Sequence, residues 1–116
     1  MRRLRVYIDT SVIGGCYDPE FTIWSNGLMK DFQIGNFKPV LSEVVTAEIE
    51  GAPEAVREKY AELLLLEPEI ISVSGEALEL AEAYQQRGIL SATFANDMLH
   101  IALATVAEVD LLVSWN

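Results

Sequence analysis

Three acidic residues stand at positions where a carboxylate is either costly or well placed for chemistry. Asp9 follows a short apolar predicted strand, Glu48 lies near the middle of the apolar arc of a predicted helix over residues 43–50, and Asp97 begins a helix that is apolar almost all round. An ionised carboxylate that faces a core costs several kcal/mol unless a partner neutralises it. The chain has 8 Lys and Arg against 18 Asp and Glu. A divalent cation is therefore a candidate partner.

The ligand types indicate which cation this would be. Carboxylate oxygens without a histidine or cysteine partner suit Mg²⁺ or Mn²⁺ better than zinc. The expected chemistry is hydrolysis of a phosphodiester, in which the metal activates a water and stabilises the leaving oxygen. Two of the three acids also have a plainer interpretation, because Glu48 can reach water from the end of its helix and Asp97 can interact with the helix dipole. A metal site requires that the fold brings these acids together.

The order of secondary-structure elements decides whether the fold can bring the three acids together. The predicted strands cover residues 4–9, 37–41, 70–73 and 109–114, and the predicted helices cover residues 12–34 (with a break near residues 18–19), 42–51, 53–66, 74–87 and 94–107. Alternating strands and helices predict a parallel sheet that is covered by helices on both faces. In such sheets the functional site lies beyond the carboxyl ends of the strands. Asp9 and residues 114–116 lie at that end.

The length and the charge of the chain limit the number of domains and the class of protein. The 116 residues fit one small domain with its own core, and the net charge is −10. An acidic surface repels polyphosphate, which counts against a protein that coats DNA or RNA but leaves room for an enzyme whose phosphate contacts run through metal ions. The single cysteine excludes an intrachain disulfide and fits a reducing cytoplasm. No apolar stretch approaches the length of a membrane span.

Other residues that could do chemistry have simpler interpretations. His100, the only histidine, is predicted to be a core residue that is hydrogen-bonded to backbone, with a general-base role as the minor alternative. Thr10 and Ser11 are predicted to cap the first helix, and their hydroxyl and N–H groups could also face a phosphate. Ser42 and Ser74 are predicted helix caps as well. Trp115 is either ordinary packing or a flank of a substrate site.

Four segments of the chain together resemble the PIN domain, in particular bacterial PIN proteins of the VapC-like toxin type. They are YIDTSVIGG at 7–15, SEVVTAEIEGAP at 42–53, FANDMLHIALAT at 94–105 and VDLLVSWN at 109–116. The resemblance spans nearly the whole chain in the right order. It implies one domain over residues 1–116, with a three-layer α/β/α fold around a central, mainly parallel sheet. It also implies a Mg²⁺- or Mn²⁺-dependent ribonuclease that a partner antitoxin holds inactive.

Residue by residue, the resemblance implies a specific site. The metal-binding and catalytic acids would be Asp9, Glu48 and Asp97. The polar residues beside the substrate would be Thr10, Ser11 and Ser114. Asn116 stands where the family often has a fourth acid in a Thr/Ser-x-Asp pattern, and it could contribute a neutral carbonyl oxygen or a hydrogen bond to water, but no charge.

A further departure from the family shapes the expected partners. The family usually continues past this point with a helix and an edge strand, whereas this sequence ends at Asn116. An exposed edge strand favours pairing with a second copy, so a homodimer is expected beside the RNA substrate and the antitoxin, in the cytoplasm and without a membrane.

Three functions therefore follow in order of preference. The first is an endoribonuclease toxin of a toxin–antitoxin pair. The second is a PIN-like interaction module whose turnover is weakened or lost, which Asn116, the short C-terminus and the charge favour. The third is a phosphatase or receiver-like domain built on Asp9, which usually needs a lysine near the site, whereas the last lysine of the chain is Lys59.

Overall fold

The structure of the chain is a computed structural model, which describes residues 2–87 and 95–116. Its strands are β1 (Leu4–Ile8), β2 (Phe37–Ser42), β3 (Glu69–Ile71) and β4 (Leu111–Val113). Its helices are α1 (Thr10–Gly14), α2 (Thr22–Gln33), α3 (Glu43–Ile49), α4 (Glu54–Leu64), α5 (Gly75–Arg87) and α6 (Ala95–Val106), and a short 3-10 helix covers Gly15–Tyr17.

The four strands form one sheet in the order β3-β2-β1-β4, and each neighbouring pair is parallel. Within β1, Tyr7 is paired with Val40 of β2, and Ile8 is paired with Val113 of β4. Because the strands run in the same direction, the residues that follow β1 and β4 come out side by side. This register brings Asp9 next to Ser114 at the carboxyl edge of the sheet.

Alternate side chains of β1 point to opposite faces of the sheet and pack in two separate cores. Val6 and Ile8 are buried in a core that contains apolar residues from α1, α2, α3 and α4. Tyr7 points to the other face, where it packs with Val40 and with Ala104 of α6. Strand residues alternate between faces, so an apolar run that is buried throughout indicates helices on both sides. The predicted three-layer α/β/α architecture with a parallel sheet is confirmed.

The predicted boundaries agree closely with the structure. The first helical region is interrupted as expected, since α1 and the 3-10 helix are separated from α2 by residues 18–21. Gly35 follows α2 with a φ of 85°, a conformation that favours glycine. The predicted fourth strand is shortened from residues 109–114 to Leu111–Val113, and position 94 of the last predicted helix lies outside the described residues. Among residues 2–87 and 95–116, no helix is both long and apolar enough to cross a membrane.

Asp110 immediately precedes β4 and connects it to β1. Its N–H donates to the carbonyl of Arg5 at 2.9 Å, and its carboxylate Oδ2 accepts the N–H of Arg5 at 2.7 Å. The guanidinium of Arg2 lies 2.6 Å from the other carboxylate oxygen. The Arg5 N–H, together with the charge of Arg2, holds the pKa of Asp110 below its usual value. These contacts fasten the start of β4 to β1 at the end of the sheet remote from Asp9.

Candidate metal centre

Asp9 is a buried carboxylate that neutral donors hold in place. It is 3% exposed and forms the N-cap of α1. Its Oδ1 accepts hydrogen bonds from the N–H of Ser11 at 3.1 Å and from the Ser11 hydroxyl at 2.5 Å. Its Oδ2 accepts the hydroxyl of Ser114 at 2.5 Å. Among the described residues no lysine or arginine forms an ion pair with Asp9, so its negative charge is oriented but not neutralised by them.

Asp97 belongs to α6, the helix that packs on the Tyr7 face of the sheet. It lies in the first turn of α6, and the side-chain amide of Asn116 donates to its Oδ1 at 3.4 Å. Asp97 and Asp9 line the same cavity, whose volume is about 250 Å³, together with Ser114, Asn116 and apolar side chains of α6 and β4. The structure thus brings together four of the predicted site residues at the carboxyl edge of the sheet.

Glu48, the third predicted acid, is placed differently. Its side chain is 31% exposed, and its Oε1 accepts the hydroxyl of Thr10 at 2.9 Å and lies 2.8 Å from Nε2 of His100. It does not line the cavity of Asp9 and Asp97, although His100 does. Across residues 2–87 and 95–116, no three acidic, histidine or cysteine side chains are grouped closely enough to hold one metal ion. A role for Glu48 as a metal ligand therefore stays a prediction.

His100 corrects the sequence-based expectation of a backbone-bonded core histidine. It is buried, at 3% exposure, but both ring nitrogens contact side chains: Nε2 faces Glu48, and Nδ1 lies 2.5 Å from the hydroxyl of Tyr7. The Tyr7 hydroxyl is also 2.9 Å from the hydroxyl of Ser42. A proton on Nε2 satisfies the contact with Glu48, since Nε2 then donates to the carboxylate while Nδ1 can accept from Tyr7.

Tyr7 stays a proton donor in this network. Burial raises the pKa of its phenol well above the usual value, and the nearby charges of Asp9 and Glu48 act in the same direction, while the hydrogen bond to Ser42 opposes them. Every buried side-chain nitrogen and oxygen in the described part of the chain has a hydrogen-bond partner. The network from Ser42 through Tyr7 and His100 to Glu48 is therefore a satisfied buried polar chain, of the kind that rigidifies its surroundings.

The expected capping roles are partly revised. Ser74 caps α5 as predicted, because its hydroxyl accepts the N–H of Ala77 at 3.1 Å. Ser42 occupies the N-cap position of α3 but makes no side-chain cap bond, since its hydroxyl faces Tyr7. At α1 the side-chain cap is Asp9, whereas Ser11 donates to Asp9 and Thr10 donates to Glu48.

Sequence reasoning missed the pairing of His100 with Glu48, although a signal existed. Each is a polar residue at an inward position of an otherwise apolar helix face. One is a base and the other an acid, in a chain with few cations. Two inward polar groups of opposite character are candidate partners for each other, because either alone would leave a buried group unsatisfied, but only the fold decides whether they meet.

The donor set of the first cavity fits a hard divalent cation. Asp9 and Asp97 offer carboxylate oxygens, and Asn116 offers an amide oxygen, all at one cavity. A carboxylate has about four lone-pair sites, so the hydrogen bonds at Asp9 leave room for a metal ligand. Proteins commonly hold Mg²⁺ through one or two carboxylates and leave the remaining positions to water and substrate phosphates.

Known proteins share the fold of this chain. No protein-family model matches the sequence, and no curated protein matches it. A crystal structure of VapBC2 from Rickettsia felis, bound to a DNA fragment from their promoter, contains a chain with a TM-score of 0.63 and 18% identity, and the match covers 97% of this chain and 100% of that one. A toxin–antitoxin complex from Klebsiella pneumoniae contains another, with a TM-score of 0.65 and 17% identity, covering 93% and 84%. The PIN-like fold that the sequence resemblance implied is therefore confirmed.

Proposed function

We propose that this chain is a metal-dependent endoribonuclease and the toxin of a toxin–antitoxin pair. One observation supports the nuclease above all. Asp9 and Asp97, far apart in sequence, line one cavity at the carboxyl edge of a parallel sheet, where Asp9 has no cationic partner among the described residues. The fold shared with chains of two toxin–antitoxin complexes supports an antitoxin as the partner.

Asp9 and Asp97 would hold Mg²⁺ or Mn²⁺, with Glu48 as the predicted third ligand. A bound ion of this kind lowers the pKa of a water and stabilises the leaving oxygen of a phosphodiester. Ser11 and Ser114 orient the two oxygens of Asp9 through their hydroxyls.

The remaining polar residues position the other two acids. The Asn116 amide restrains the carboxylate of Asp97. Thr10 and His100 both contact Oε1 of Glu48, while Oε2 accepts no hydrogen bond from the described residues. Glu48 is therefore held in one orientation with an oxygen available for a ligand role.

Two protein partners are expected besides the RNA substrate. An antitoxin would bind the chain and suppress cleavage, and a second copy would form a homodimer. The exposed apolar residues Leu111 and Leu112 on the edge strand β4 favour pairing with another chain. A cytoplasmic location stays a prediction from the single cysteine.

The decisive experiment measures cleavage of a single-stranded RNA pool with added Mn²⁺. Asp9→Asn and Asp97→Asn should each lower the rate by more than about 100-fold, the upper end of the loss seen when a metal site loses an outer-shell partner. Glu79→Gln, which changes an exposed acid of α5, is the matched control and should cleave like the wild type. Equal cleavage by all four proteins, or none by the wild type, would contradict the nuclease.

A second function is favoured by a specific observation. The described residues contain no group of three metal-ligating side chains, and Asn116 brings no charge. These features fit a PIN-like interaction module with weakened or lost turnover. Calorimetric titration with Mn²⁺ distinguishes the nuclease from the interaction module. Mn²⁺ binding that Asp9→Asn abolishes supports the nuclease. No Mn²⁺ binding up to millimolar concentration supports the interaction module.

A further inference from the structure

A second cavity, of about 570 Å³, lies directly beside the acidic one. Residues of α1, of the 3-10 helix and of the start of α4 line it, together with Trp115 and Asn116. Asn116 lines both cavities, and Ser11 in the wall of the second donates to Asp9 in the first. A ligand in the second cavity would therefore lie next to the proposed cleavage site.

Aromatic side chains form one wall of this cavity. Phe21 and Trp115 are stacked with their ring centroids 5.1 Å apart and their planes 2° from parallel. The indole N–H of Trp115 donates to the hydroxyl of Ser25 at 2.8 Å. A Cβ added at Gly15 would lie 2.8 Å from that indole nitrogen, so the glycine gives the ring its place. Tyr17, which is 52% exposed, adds a third aromatic ring.

The charge of the lining excludes phosphate as the favoured occupant. Among the described residues that line this cavity there is no lysine or arginine, and Asp18 carries the single charged side chain. A phosphate would meet repulsion there, whereas a flat, neutral aromatic ring would meet other aromatic rings. A carboxylate such as that of Asp18 can accept hydrogen bonds from the exocyclic amine of a nucleobase.

We propose that this cavity binds an unpaired base of the RNA next to the phosphodiester that is cleaved. The inference rests on the proposed nuclease function. Aromatic side chains stack on bases that are splayed out of a single strand, and stacking does not require a basic surface. A base within a duplex would first have to leave its pair and its stack, which disfavours paired RNA.

The test measures base binding separately from cleavage. A short single-stranded RNA that contains 2-aminopurine is titrated with the protein in EDTA, and its fluorescence reports stacking. Wild-type protein should quench the signal, Tyr17→Ala should weaken binding by about tenfold, and Tyr17→Phe should stay within about twofold, because only the alanine removes the ring.

A second variant fills the cavity without touching the acids. Gly14 lies in the wall, and a Cβ added there meets no atom within 4 Å, so Gly14→Leu can be accommodated while its side chain occupies the space of the base. It should also weaken quenching by about tenfold. Thermal unfolding of each variant verifies that it is folded.

The outcomes separate this proposal from the nuclease. Wild-type quenching that both Tyr17→Ala and Gly14→Leu reduce supports the base site, even where the RNA is not cleaved. Cleavage that persists with unchanged quenching in both variants overturns the base site and leaves the nuclease intact. Equal affinity for a duplex of the same sequence also overturns it. Loss of a copurified partner protein in these variants, with RNA quenching unchanged, would reassign the cavity to protein docking and overturn it as well.

Discussion

Glu48 and His100 illustrate, at the scale of single residues, how a fold retains a carboxylate on the inner side of a helix. The carboxylate contacts a hydroxyl and an imidazole through one oxygen, and the imidazole contacts the buried phenol of Tyr7. Asp9 is held in another way, with a serine hydroxyl on each oxygen. Hydroxyl and imidazole groups orient the two acids, in places where a lysine or arginine would have paired with each carboxylate as a full charge.

His100 gives a prediction at this scale. If Glu48 ligates the metal, His100→Leu should weaken Mn²⁺ binding by about 10- to 100-fold, because outer-shell donors orient ligating carboxylates. His100→Gln is the matched variant, since its side-chain amide can still donate to Glu48, and it should recover part of the affinity. Isothermal titration calorimetry measures both.

One result would contradict this role of His100. Equal Mn²⁺ affinity in the wild type, His100→Leu and His100→Gln, with all three folded by circular dichroism, would show that Glu48 lies outside the metal site. The ligand set would then reduce to Asp9 and Asp97.

At the scale of elements, the parallel sheet decides which residues meet. The β1–β4 register brings Asp9 beside Ser114, and the start of α6 supplies Asp97 from the opposite layer. The far end of the same strand pair is fastened by Asp110, whose carboxylate accepts the N–H of Arg5. Contacts at one end of β4 therefore help set the position of Ser114 at the other.

Asp110 leads to a pH-dependent prediction. The pKa of the Asp110 carboxyl is lower in the folded chain than in the unfolded chain, so its charged form stabilises the fold. This contribution is fully present above the pKa that Asp110 has in the unfolded chain. It disappears as the pH falls through the pKa that Asp110 has in the folded chain. Asp110→Asn should therefore lower the urea midpoint at neutral pH, and the difference from wild type should vanish at strongly acidic pH.

Urea unfolding at a series of pH values measures this effect. Glu79→Gln, which removes one negative charge from an exposed position on α5, separates the specific contact from a change in net charge. A midpoint difference between Asp110→Asn and wild type that stays constant across the whole acidic range would contradict the role given to the Arg5 contact.

At the scale of the whole molecule, the net charge of −10 opposes RNA binding through phosphates. Affinity would then come from the metal and from base stacking. Such binding should respond weakly to salt, because few lysine or arginine side chains would release counterions from the RNA.

The salt dependence can be measured directly. Affinity for one single-stranded RNA, at fixed Mg²⁺, should change by less than about threefold between 50 and 200 mM KCl, whereas proteins with six to ten phosphate contacts lose about 10³-fold or more. A basic RNA-binding domain titrated in the same buffers is the control. A steep slope for this chain would reveal a basic surface formed by its eight lysines and arginines.

The order of elements, the parallel α/β/α architecture and the position of Asp9 at a strand end could be predicted from the sequence. These features depend on local signals: apolar runs, helix periodicity and residues such as Gly35 that end a helix. The register that pairs Ser114 with Asp9, the cavity shared with Asp97, and the contact of Glu48 with His100 were decided by the tertiary structure. They join residues from distant segments, and no local pattern specifies which inward polar groups a fold will bring within hydrogen-bond distance.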